Sequence, residues 1–150
     1  YLFNRYLISN LINQNIGKYI NLFSPKTNLF LLSGLIITIC YVIFSNYIYR
    51  EVFFISTIPL FFYILKINDT KLVKQFLYLI IIKSIFSFFY GYYNVTESLY
   101  HVDNIRYYTN SFLAVSILKS ILDFLAVSFI SAFVFIILKK YFNHYREKIS

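Results

Sequence analysis

Three ionisable residues sit inside otherwise apolar stretches: Lys83, Lys119 and Asp123. A charge in a bilayer core costs upward of about 2.5 kcal/mol, so each needs a partner or a task. Lys119 and Asp123 are spaced i,i+4 and can pair on one helix face, although Lys before Asp is the weaker order. Ser116, Ser120 and Ser131 extend that face, and Ser84, Ser87 and Gly91 follow Lys83 in the same way. Small and polar stripes of this kind favour close helix packing in lipid. The two stripes therefore predict that their helices face each other or a partner. Together the three ionisable groups suit a proton or ion pathway, because desolvation disfavours a buried charge. The competing reading is a structural ion pair with lysines that snorkel toward water.

Depth favours the structural reading. Lys83 lies nine residues from Lys74, whereas Asp123 lies sixteen from Lys139. If Lys74 and Lys139 mark the inner ends of their helices, the depths differ by about 10 Å. A direct Lys83–Asp123 bridge then needs a register shift, and Lys119 falls toward the outer interface.

Little else in the chain has catalytic spacing. His101 and His144 both lie outside the apolar runs, so this chain alone is not expected to hold a bis-His haem. The single cysteine, Cys40, makes neither an internal disulfide nor a zinc site and reads as core packing. Glu97, His101 and Asp103 are too irregularly spaced for a metal site and read as solvated loop residues. Two Asn-X-Thr triplets begin at Asn68 and Asn94, and Asn-rich sequence produces such matches by chance. No zinc-protease, nucleophile-elbow, Walker or dinucleotide motif is present, and Gly is too scarce for phosphate-cradling loops. The expectation is a protein that is not an enzyme and carries no cofactor or metal.

The elements that hold these residues follow from composition. The chain has 150 residues, 59% apolar and 13% charged. A soluble domain is about 25% charged, so the class is an all-α integral membrane protein. Residues 1–24 form one amphipathic segment, with Leu7, Leu11 and Ile16 on one face and Arg5, Asn13 and Lys18 largely on the other. Such a helix suits the membrane interface or a docking face on a partner subunit. Pro25 ends it. Four apolar runs follow, at 27–49, 52–66, 75–93 and 111–140. The second is short and contains Pro59, so it is either a kinked span or a re-entrant segment, with a span favoured. The whole is read as a single membrane domain of about four transmembrane helices preceded by an interfacial helix.

Charge gives the topology. With four crossings, the side holding both termini collects ten Lys and Arg and the other collects Arg50 and Arg106. Making 52–66 re-entrant reduces the bias to seven against five or weaker. The asymmetry follows the positive-inside rule. Tyr clusters at the span ends in place of the absent Trp, as an aromatic belt would. The net charge of +8 faces lipid rather than nucleic acid in this arrangement. Lys18, Lys26, Lys71, Lys74, Lys139 and Lys140 are candidate contacts to the headgroups of an acidic phospholipid such as cardiolipin.

Phe, Tyr, Ile, Asn and Lys make up more than half of the chain, whereas Gly, Ala, Arg and Pro are scarce. This bias indicates AT-rich coding DNA, as in protist mitochondria or low-GC bacteria. In composition the chain resembles mitochondrially encoded membrane subunits of ciliates; no residue motif ties it to one family. It contains no Met, which reads as a processed or truncated start, and residues 1–15 do not read as a signal peptide. The expected function is a non-catalytic accessory subunit of a mitochondrial inner-membrane complex, in the respiratory chain of electron transport or an ATP synthase. It would scaffold other membrane subunits and bind lipid, with both termini on the matrix side. One alternative is a small bacterial multispan protein with cytoplasmic termini, such as a transporter component or a colicin-type immunity protein. The other is a proton- or ion-translocating subunit using Lys83, Lys119 and Asp123.

Overall fold

The computed structural model describes residues 2–42, 48–99 and 110–149, and among them every regular element is a helix. In chain order these are α1 (Leu2–Asn13), α2 (Ile16–Tyr19), α3 (Pro25–Val42), α4 (Ile48–Ile67), α5 (Lys71–Leu99) and α6 (Asn110–Ile149). Among the described residues, two stretches are long and apolar enough to cross a membrane, Lys71–Tyr90 in α5 and Ala114–Lys148 in α6. Their length and composition point to association with a membrane. Pro25–Tyr41 and Val52–Ile67 are shorter apolar helical stretches.

The first segment is not one helix. α1 ends at Asn13, and Asn15 adopts a left-handed backbone with φ 52° before the single turn of α2. Asn tolerates this conformation better than most residues, which is why the break falls in an Asn-rich stretch. Pro25 then starts α3, where its missing N–H costs nothing. Ser24 caps that helix by accepting the Thr27 N–H at 3.1 Å.

Two further boundaries differ from the sequence expectation. Ile48 and Tyr49 belong to α4, so Arg50 and Glu51 lie within its first turn rather than between two spans. That addition makes α4 a helix of 20 residues, about 30 Å long, which passes through Pro59. α5 likewise runs on through Asn94–Leu99, a stretch expected to be loop. The predicted ends were set at polar residues, but a helix backbone ends where its hydrogen-bonding ends, not where it meets water.

Four helices converge on one aromatic layer. Phe30 of α3, Phe61 of α4, Phe76 of α5 and Phe133 of α6 are all fully buried. Phe61 lies 5.2 Å from Phe30, 4.7 Å from Phe76 and 5.1 Å from Phe133 between ring centres, each pair edge to face. Edge-to-face rings add attraction beyond the area they bury. Lys26 precedes Phe30 by four residues, Lys66 follows Phe61 by five, Lys71 precedes Phe76 by five and Lys139 follows Phe133 by six. One layer of rings thus sets four lysines at a common level near one end of the bundle. Gly34 lets α3 approach α6 closely, since a Cβ there would lie 2.6 Å from Val134 Cγ2 and 3.0 Å from Ile130 Cγ2.

α1 lies along α6. The Phe3 and Phe124 rings are 6.2 Å apart, and the Asn4 amide donates to Ser131 Oγ at 3.1 Å. Farther along, the Lys140 ammonium donates to the carbonyls of Gly17 at 2.8 Å and Ile20 at 2.7 Å. The apolar face with buried Leu7 and Leu11 therefore packs on this chain's own helix.

Candidate functional site

One turn of α5 beyond Ile80 brings Lys83 into the bundle, where it is 1% exposed. Its ammonium lies 3.4 Å from Asp123 Oδ1 on α6. It also sits 3.8 Å from the centre of the Phe54 ring on α4. A ring face carries partial negative charge, so Phe54 and Asp123 flank the same cation. Asp123 is 7% exposed, and its Oδ2 accepts from Lys119 Nζ at 2.6 Å. The Lys119 ammonium also lies over the Tyr90 ring of α5, 5.5 Å from its centre. α5 and α6 thus meet in a Lys83–Asp123–Lys119 cluster, with Phe54 of α4 against Lys83.

The expected depth mismatch between Lys83 and Asp123 does not occur. Phe76 packs between Phe129 and Phe133, 4.7 and 6.2 Å from their ring centres. That level is two residues from Lys74 but six to ten from Lys139. Lys74 therefore lies about 6–12 Å deeper along the bundle than Lys139, and the two were unequal markers. The extra length of α6 is matched by α2 and the residues after it, where Gly17, Ile20 and Leu22 meet Lys140 and Tyr141.

Asp123 Oδ1 is buried without a hydrogen bond, since the Lys83 contact has the distance of an ion pair but not the geometry of a hydrogen bond. The cluster can therefore act as an electrostatic tie between α5 and α6. On α6, Ser116 and Ser120 make no hydrogen bond to α5 among the described residues, whereas Ser131 bonds Asn4 of α1. Ser120 is exposed and donates back to the Ser116 carbonyl at 2.9 Å. Ser116 is half-buried with its Oγ lacking a hydrogen bond, and Ser87 is half-buried on α5. The α5–α6 contact instead uses the stacked Phe76 and Phe129 together with Lys83 and Asp123. Gly91 lies outside the residues whose side chains are described.

The six headgroup candidates separate into two sets. Lys140 is held by the two carbonyls that follow α1, Lys74 pairs with Asp69 at 2.7 Å, and Lys26 lies 5.0 Å from the centre of the Tyr63 ring. Lys18, Lys71 and Lys139 are exposed, as are Lys26 and Lys74, and of the six only Lys140 is half-buried. Sequence reasoning missed Phe54 as a neighbour of Lys83 and Lys140 as a clamp on α2. A phenylalanine inside an apolar run carries no mark of such a role, and nothing local distinguishes Lys140 from Lys139.

Among the described residues no group of three His, Cys, Asp or Glu side chains is placed to hold a metal. His144 packs edge-on against Phe23, with 5.6 Å between ring centres. Cys40 is half-buried. Glu97, His101 and Asp103 fall outside the described side chains.

The chain matches no known protein family, no characterised protein and no solved structure.

Proposed function

We propose that this chain is a non-catalytic membrane-spanning subunit of a larger energy-transducing assembly, where it holds neighbouring subunits and lipid. The observation that carries the reading is the outer face of α5. Tyr78, Ile81, Ile82, Ile85, Phe88 and Phe89 are all exposed beside an interior that is already filled. An apolar face of this extent needs lipid or protein against it. The cluster at Asp123 supports a structural role, because all three charged groups are engaged within the bundle.

In this reading α3, α4, α5 and α6 each cross the bilayer, and the common level of Lys26, Lys66, Lys71 and Lys139 marks its basic face. The C-terminus belongs to that side, whereas the N-terminal end, with Phe3 beside Phe124, lies about 20 Å from the Lys139 level along α6. The segment 1–24 enters beside α6 with Lys18 exposed toward the headgroups. The AT-rich residue usage favours a mitochondrial inner membrane, with a respiratory-chain complex or an ATP synthase as the assembly. The test is the mass of the native detergent-extracted assembly, with its members identified by mass spectrometry. Co-migration with respiratory or ATP-synthase subunits is expected. Migration as a monomer or small homo-oligomer would overturn the reading and favour a small bacterial transporter component or immunity protein.

One observation favours a second reading, ion or proton translocation: the buried Asp123 Oδ1 that accepts no hydrogen bond. It predicts that Asp123→Asn and Lys83→Ala abolish coupled pumping while the assembly stays intact. Pumping that persists in both variants would remove it.

A further inference from the structure

We infer that the open groove between the α1–α2 turn and α6 is a site for the phosphate of one anionic phospholipid. The inference rests on the membrane reading above and narrows six candidate lysines to a specific place. The groove has a volume of about 350 Å³, within the range of small-ligand sites. Lys18 and Lys139 bring exposed side chains to it from the two segments that form it, and the half-buried Lys140, already bonded to two carbonyls, adds positive charge behind them. Asn15 and Asn143 supply amides, while Ile12 and Ile136 supply apolar carbon. No carboxylate is among its lining residues.

Three features suit a phosphodiester attached to a glycerol and acyl chains. First, the charge is one-signed, and lysines act as point charges toward phosphate. Second, Lys140 ties the two walls together through the carbonyls of Gly17 and Ile20, so the walls are already positioned without a ligand. Third, Lys139 shares its level with Lys26, Lys66 and Lys71, which the membrane reading places in the headgroup layer. A ligand there reaches the groove from the bilayer with its apolar end beside Ile12 and Ile136. Lys18 and Lys139 line the groove, whereas Lys26 and Lys74, also exposed, lie outside it beside Tyr63 and Asp69.

The test uses the full chain in mixed micelles and native mass spectrometry, with phosphatidylglycerol and phosphatidylcholine of identical acyl chains as probes. Wild type is expected to retain phosphatidylglycerol preferentially. The double variant Lys18→Gln/Lys139→Gln is expected to weaken that retention about thirtyfold, at roughly a kilocalorie per lysine near an anionic surface. The control Lys66→Gln/Lys148→Gln removes the same charge outside the groove and should retain the lipid as wild type does. Equal loss in the control, or equal retention of the two lipids, would overturn the proposal. So would displacement of phosphatidylglycerol by millimolar inorganic phosphate, which would make this a site for the free anion. Unchanged thermal midpoints in the variants would exclude unfolding as the cause. Vesicle flotation of wild type separates the two claims, because a chain that fails to float defeats the membrane reading whatever the micelles report.

Discussion

Two levels of the same bundle are held by different physics. At the ring layer, Phe30, Phe61, Phe76 and Phe133 meet through dispersion and edge-to-face contact. Two turns deeper along α5, Lys83 meets Asp123. The ring layer tolerates small slips, because one apolar surface resembles another. The ion layer does not, because a displaced α5 leaves a buried ammonium and a buried carboxylate apart. In lipid this contrast sharpens, since apolar groups gain little by leaving acyl chains for a protein core. The rings fill the bundle, and the charges specify how α5 and α6 align.

The largest expected effect breaks the ion layer. Asp123→Ala leaves two ammoniums without their shared carboxylate and should cost about 3–5 kcal/mol, read as a lowered thermal midpoint in detergent. Next comes the ring layer. Phe61→Ala should cost about 2 kcal/mol in a bilayer, mostly the cavity, because its transfer contribution shrinks when the surroundings are apolar in both states. The same assay checks it, and a loss larger than that of Asp123→Ala would reverse the comparison. Gly34→Ala drives a methyl against Val134 and Ile130 and should destabilise by about 1–3 kcal/mol. If stability is unchanged, α3 and α6 are farther apart than described. The smallest effect belongs to Lys140→Met, which keeps the apolar stem but removes two donors to Gly17 and Ile20. It should cost about 1 kcal/mol and speed proteolysis within residues 1–24, leaving α5 and α6 unaffected.

Some of this arrangement was legible in the residues. Lys119 and Asp123 paired as their i,i+4 spacing indicated, and the apolar runs marked the four long helices. The Lys83–Asp123 contact was not legible, because polar residues at helix ends served as depth markers. Lys74 and Lys139 look alike in sequence, yet α6 continues past the end of α5 with α2 packed against it. The break after Asn13 was hidden for a related reason. Apolar periodicity persists through Asn15 even though the backbone does not, and Leu7 and Ile16 are both buried on either side of it. Ser116 and Ser120 illustrate the converse: regular spacing formed a stripe, but stacked Phe rings make the contact between helices.

The claim that the ion layer aligns α5 with α6 is tested most directly by a double-mutant cycle. Thermal stability would be measured for wild type, Lys83→Met, Asp123→Leu and the double variant in the same detergent. A direct interaction predicts a coupling of about 1–3 kcal/mol, with the double variant more stable than Asp123→Leu alone. Additive losses within about 0.3 kcal/mol would show that the two residues do not interact, and the alignment would then have to come from the rings.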